Sequence, residues 1–138
     1  MSARSKSRKA ALDLLFEADI RGTNAVETLV LRDIVDSDAK PIREYTRELV
    51  HGVAENRRKI DELITTYAQG WDMDRLPAVD RNILRIGIFE ILWSAAIPDA
   101  VAIDEALILA QELSTDESAG FIHGVLGRIS SIKESLAI

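Results

Sequence analysis

Apolar residues recur along this chain at helical spacing. Leu12, Leu15, Phe16 and Ile20 fall at i, i+3, i+4 and i+8, one stripe of a helix over residues 2–20, and Gly22 is a natural stop just past it. Asn24 followed by Glu27 fits an N-cap and its N3 acid, opening a second helix to about Asp36, with Asp36-Ser37-Asp38 as a polar break. Pro41 suits a first helical turn, and Ile42, Tyr45, Leu49, Val53, Ile60, Ile64 and Tyr67 continue on a helical period. The period weakens at Ala54–Arg58, so this span is either one long helix or two joined by a kink near Asn56.

The segment 77–94 differs in kind. Ile83, Leu84, Ile86, Ile88, Phe89, Ile91, Leu92 and Trp93 cover almost the whole circumference, and a helix apolar all round belongs in the middle of a fold. Its polar exceptions, Arg81 and Arg85, are four apart and share one face. An amphipathic helix follows Ile97-Pro98 to about Leu113. The polar break Ser114–Glu117 then leads into a last helix from about Ser118 to Lys133. Gly124 and Gly127 inside that helix cost about 1 kcal/mol each relative to Ala. They read as close helix packing, the preferred account, or as backbone open to a ligand. No strict alternation lasts long enough for a strand. The expected fold class is all-α, six to seven helices around one central apolar helix.

Composition narrows the function. At 138 residues the chain is one domain's worth. The absence of Cys removes disulfides, thiol chemistry and Cys-based zinc sites, and suits a reducing, cytoplasmic setting. The longest uncharged run is residues 118–127, too short to cross a membrane. The start is basic, as in a signal peptide, but Asp13, Glu17 and Asp19 interrupt the apolar part, so no targeting segment is expected.

The net charge of −6 looks hostile to nucleic acid until it is divided. Arg4, Lys6, Arg8 and Lys9 give residues 1–9 a charge of +4, which leaves −10 on the rest. A basic arm on an acidic body draws a polyanion such as RNA to one end. The alternative is a frayed, solubilising N-terminus.

Catalysis has little to work with. His51 and His123 show no metal-ligand spacing, and no P-loop or nucleophile elbow is present. The acid pairs Asp61-Glu62, Asp104-Glu105 and Asp116-Glu117 are sequence neighbours that diverge on a helix, and read as solvated faces. No catalytic residue, metal or cofactor is expected. Binding is better supported. Arg4 and Arg8 are four apart, with Lys9 beside and Lys6 flanking, a spacing that tracks a phosphate backbone. Four such contacts to a single strand imply a salt slope near ~ −3. Phe16 is either core, which is preferred, or a base-stacking ring. Arg81 and Arg85 either extend a groove or exit a buried helix into solvent, and Arg57-Arg58-Lys59 reads as a solvated face.

Three segments together resemble the NusB family of bacterial transcription antitermination factors. They are the opening Arg4-Ser5-Lys6-Ser7-Arg8-Lys9-Ala10-Ala11 leading to Leu14-Leu15-Phe16, the run Asp74 to Glu90, and Val101-Ala102-Ile103-Asp104-Glu105-Ala106 through Ser118 to Leu126. The resemblance spans essentially the entire chain. It implies one domain with two three-helix subdomains, approximately 1–72 and 73–138, and a leading basic helix.

It also implies binding to boxA RNA jointly with NusE, a small-subunit ribosomal protein. The complex joins RNA polymerase and suppresses termination, notably on ribosomal RNA operons. By position, Arg8 falls in the family's arginine-rich helix and Phe16 where an aromatic lies near RNA. Arg85, Glu117 and Phe121 match the RNA side, while Asp74 and Asp80 match positions facing NusE. The arm is thinner than the family's, with Ser5 and Ser7 interleaved. His123 and Asp104 stand where Asn is usual, and a packed His123 is the preferred expectation.

Two other functions are consistent with such a chain: a helical protein-binding adaptor without RNA contact, or a stand-alone relative of the RNA-binding front end of an RNA methyltransferase. A homodimer that covers the arm is a further possibility the resemblance leaves open.

Overall fold

The computed structural model describes residues 2–35 and 41–136. Among the described residues, seven α-helices make up the fold: α1 (Ala3–Arg21), α2 (Ala25–Val35), α3 (Glu44–Glu55), α4 (Arg57–Tyr67), α5 (Ala78–Trp93), α6 (Asp99–Leu113) and α7 (Asp116–Ile132). Short 3-10 turns at Met73–Arg75 and Lys133–Ser135 complete it, and the described residues contain no strand. The polar break expected at 36–38 lies outside the described residues.

Local chemistry sets most boundaries. Ser2 caps α1 by accepting from the Ser5 amide at 3.1 Å, and Gly22 ends it in the left-handed region at φ 67°. The Asn24 side chain accepts from the amides of Val26 and Glu27 at 2.9 and 3.2 Å, so α2 starts as its cap dictates. The long amphipathic span is two helices, broken at Asn56, whose side-chain amide donates to the Gly52 carbonyl at 2.8 Å. Two starts are displaced from expectation. α3 opens at Glu44, leaving Pro41 ahead of the helix. α7 opens at Asp116, because the Thr115 hydroxyl accepts from the Ser118 amide at 3.0 Å and pulls the first turn into the polar break.

α5 is the axis of the fold. It packs against α1, α3, α4, α6 and α7, and Ile83, Leu84 and Ile88 are fully buried on it. Truncating any of these to Ala would cost about 2–5 kcal/mol, the usual range for such core deletions. The contacts that bring neighbours close to this axis use two glycines. A Cβ on Gly52 of α3 would overlap the Phe89 ring, and one on Gly87 of α5 would meet the Leu126 side chain at 2.8 Å.

The glycines of α7 behave oppositely. A Cβ at Gly120, Gly124 or Gly127 would meet nothing within 4 Å, so the close packing expected at Gly124 and Gly127 does not occur. They face away from the buried side of α7, which is Ser118, Ile122, Val125, Leu126 and Ile129. The α1 stripe also shifts. Leu12 and Leu15 are buried, but the buried face turns toward Ser7, Arg8, Ala11 and Leu14, leaving Phe16 half-buried outside the apolar core and Ile20 exposed. Among the described residues, no helix is long and apolar enough to cross a membrane.

Candidate nucleic-acid interface

The start of α1 carries the basic cluster, and the helix geometry divides it. Arg4 and Lys6 are exposed, and the Arg4 guanidinium lies 5.4 Å from the Tyr45 ring centroid. Lys9 is half-exposed and its Nζ donates to Asp13 at 2.8 Å, an i,i+4 surface pair that costs little to exchange for another anion. Arg8 departs from the expected arm: it is buried, because position 8 falls on the face of α1 that meets α5. There it donates to Glu90 through Nε at 3.0 Å and Nη2 at 2.9 Å. Burial alone would lower the Arg8 pKa, but the hydrogen bond and charge of Glu90, with Tyr45 and Glu105 beside it, raise it overall.

Arg85 was also expected at an RNA-facing surface, and the structure places it inside. It is 3% exposed, donating through Nε to Asp61 at 2.9 Å and through Nη1 to Asp19 at 3.1 Å and Asn82 at 2.9 Å. Arg81 shares this network, donating to Asp19 at 2.9 Å and to the Met73 and Leu76 carbonyls. Both arginines therefore clamp the far half of α1 to α5, instead of extending a groove or exiting into solvent. Burial would raise the Asp19 pKa, but hydrogen bonds from Arg81 and Asn82 and the adjacent positive charges hold it below the ordinary carboxylate value. Asp61 and Glu105, expected on solvated faces, are drawn into these networks, while Glu62 remains exposed.

Asp80 is the third displaced residue. Expected to face a partner, it is 3% exposed and accepts from Ser114 and Ser118 hydroxyls, both at 2.7 Å. It pins the start of α5 to the α6–α7 turn. Asp74 is exposed in the 3-10 turn, as a partner contact requires.

Beside Asp80 opens a cleft of about 720 Å³ lined by Trp71, Leu76, Pro77, Val79, Leu113 and Phe121, with Glu117 at its edge. Phe121 is half-buried, and Trp71 and Leu113 are 48% and 41% exposed, so the cleft presents apolar and aromatic surface to solvent. Glu117 is exposed in the first turn of α7, where its charge complements the helix dipole. Trp71 is a cleft residue that helical periodicity does not reveal; the signal for it is an aromatic placed among the polar residues before Asp72-Met73-Asp74. His123 is exposed on α7, not packed. Phe16 lies half-buried on the side of α1 that carries Lys9 and Asp13, outside the apolar core expected for it.

The basic helix start and the aromatic cleft lie toward opposite ends of α5. Glu90, which holds Arg8, and Asp80, which borders the cleft, are ten residues apart, about 15 Å along the axis. Among the described residues, no cluster of three or more His, Cys, Asp or Glu could hold a metal ion.

A helical domain with an exposed cationic helix start, an open aromatic cleft and an otherwise acidic surface belongs to the class of small all-α binding proteins. Residues 5–131 match the NusB family model, and the chain belongs to the NusB family. It is 53% identical to the transcription antitermination protein NusB of a Nocardioides species over 99% of this chain and 100% of that protein. It is likewise 53% identical to the NusB of Saccharopolyspora erythraea, over 99% of this chain and 92% of that protein. Among solved structures, T. maritima NusB superposes with a TM-score of 0.82 at 34% identity, covering 94% of this chain and 92% of that one. A chain from the complex of antitermination factors NusB and NusE with double-stranded RNA superposes with a TM-score of 0.79 at 25% identity, covering 93% and 96%.

Proposed function

We propose that this protein is an RNA-binding transcription antitermination factor. It holds a boxA-type single-stranded RNA together with the NusE protein, and the assembly helps RNA polymerase resist termination, notably on ribosomal RNA operons. The work is done in the cytoplasm, where nascent RNA is made. The observation that carries this reading is the join of a NusB-family fold with an open cleft between Trp71 and Phe121, the kind of surface on which unpaired bases stack.

Arg4, Lys6 and Lys9 meet phosphates at one end, and Phe121 with Trp71 receives a base at the other. Phe16 on the outer face of α1 offers a further ring. A strand that uses both ends runs several nucleotides, since they are separated by much of α5. Glu117 at the cleft edge carries negative charge into this surface; it favours base edges that donate hydrogen bonds and repels phosphate. Exposed Asp74 supplies negative charge for a basic protein partner, while Asp72 just before the turn faces Arg75 at 3.9 Å.

The test is a titration of labelled boxA RNA and a scrambled RNA, each with and without NusE. Tighter binding of boxA, strengthened by NusE, is the expected outcome. Capture of NusE with no distinction between the two RNAs would favour a protein adaptor instead.

A further inference from the structure

Arg8 sits among the cations of the arm, yet Glu90 takes its Nε and Nη2 and only 3% of the side chain reaches solvent. Nε donates to both Glu90 oxygens at 3.0 Å and Nη2 to one of them at 2.9 Å, and both side chains are at most 3% exposed. The Tyr45 hydroxyl donates to the same carboxylate from α3, and burial together with that hydrogen bond pushes the Tyr45 pKa up, which keeps it a donor. Nη1 faces Glu105 of α6 at 3.6 Å, and Glu105 accepts from the Ser5 hydroxyl at 2.8 and 2.9 Å. The Arg8 guanidinium also lies 5.7 Å from the Tyr45 ring centroid, on which Arg4 stacks as well. Turning Arg8 outward would leave the buried Glu90 carboxylate without a counter-charge, held by the Tyr45 hydroxyl alone, a loss larger than one exposed ion pair returns.

We infer that Arg8 is a positioning residue: with Glu90, Tyr45 and Glu105 it fixes the direction in which the first two turns of α1 leave the core, and so where Arg4 and Lys6 stand, while meeting no phosphate itself. The network joins α1 to α3, α5 and α6 at once, and Ser5 and Arg4 are held by two of the same groups that hold Arg8. The inference rests on the RNA-binding reading for its consequence and on the geometry for the strut.

The test compares four variants of the full chain. Arg8→Met combined with Glu90→Gln removes both buried charges at similar volume, and Arg8→Lys keeps the charge but not the fork. Arg4→Ala and Lys6→Ala are the references. BoxA affinity is measured with NusE over a salt series, and trypsin cleavage after Arg4 and Lys6 is followed without RNA. The two reference variants should each flatten the salt slope by about 0.7. The double variant should bind about tenfold more weakly at fixed salt with the wild-type slope, because the Arg4 and Lys6 side chains must then be ordered on binding. Its cleavage at the two sites should accelerate, and Arg8→Lys should move both readouts in the same sense but less.

A slope flattened by about 0.7 in the double variant would make Arg8 a phosphate ligand and overturn the proposal. Unchanged affinity and cleavage would overturn it equally. If the double variant fails to fold, Arg8→Lys carries both readouts. A wild-type chain that ignores RNA sinks the RNA reading, and the cleavage rates then decide on the strut alone.

Discussion

The rings of Trp71 and Phe121 stand 6.3 Å apart at a tilt of 59°, joining the segment before α5 to the start of α7. Phe121 packs against the apolar core but lines the open cleft, and Trp71 is 48% exposed, so the cleft offers aromatic surface to a stacking base. Phe121→Ala should weaken boxA binding by about 1–3 kcal/mol, the range for one stacked base. Trp71 fluorescence should change on RNA addition in the wild type and change less in that variant. An unchanged affinity would remove the cleft from the RNA path.

The salt response should be shallower than the four-cation arm implied. With Arg8 held by Glu90, two exposed cations and the exchangeable Lys9 remain, so the slope from the arm should lie between about −1.4 and −2.1. A boxA titration from low to high salt reads this number. A slope near the earlier ~ −3 would mean that further cations join the interface.

Asp80 should matter for stability before it matters for partners. Asp80→Ala removes the carboxylate that the Ser114 and Ser118 hydroxyls share, leaving them only each other and Thr115, at a cost of about 1–3 kcal/mol. Thermal melting should fall accordingly. Loss of NusE binding with no change in melting would return Asp80 to the partner surface.

Two glycine substitutions should move stability in opposite directions. Gly52→Ala drives a methyl into the Phe89 ring and should cost about 1–3 kcal/mol, as overpacking does. Gly124→Ala meets open space and should gain about 1 kcal/mol from helix propensity. Urea unfolding of the pair measures both. Gly124→Ala also adds a methyl to the outer face of α7, so a fall in RNA or NusE binding without a fall in stability would place that face in an interface.

Acid should loosen the clamp on α1. Asp19 has a folded pKa below its unfolded value, so its contribution is present above the unfolded carboxylate value near ~3.9 and is lost as pH falls through the lower folded value. Asp99, hydrogen-bonded by Ser130 and Lys133, acts in the same direction. Melting temperature measured from neutral pH down to about 3 should fall in the acid range, and fall less in Asp19→Asn, whose neutral-pH stability is already reduced. Equal acid sensitivity in both proteins would assign the effect to other carboxylates.

What could be read in advance was whatever depends on near neighbours in the chain. Gly22, the Asn24 cap and the all-round apolarity of α5 act over a few residues, and each stands where periodicity and capping put it. The weakened period near Asn56 leaves one helix or two open, and the structure has two. The destinations of Arg8, Arg85 and Asp80 were not legible, because their partners lie 82, 24 and 34 residues away. A charged residue on a helix announces its charge but not which face will be covered. The open surroundings of the α7 glycines are illegible for the same reason, since a glycine's helix cost is local and its neighbours are not.

The position of α5 has a consequence for how the molecule comes apart. Helices from both the first and the second half of the chain bury their apolar faces on it, and it keeps little solvent-facing surface of its own. Neither half can retain a closed core once this helix leaves, so loss of the aromatic end and loss of the cationic end should be the same event. Denaturant should reveal one cooperative transition, with the Trp71 and Trp93 fluorescence changes coincident with loss of helicity.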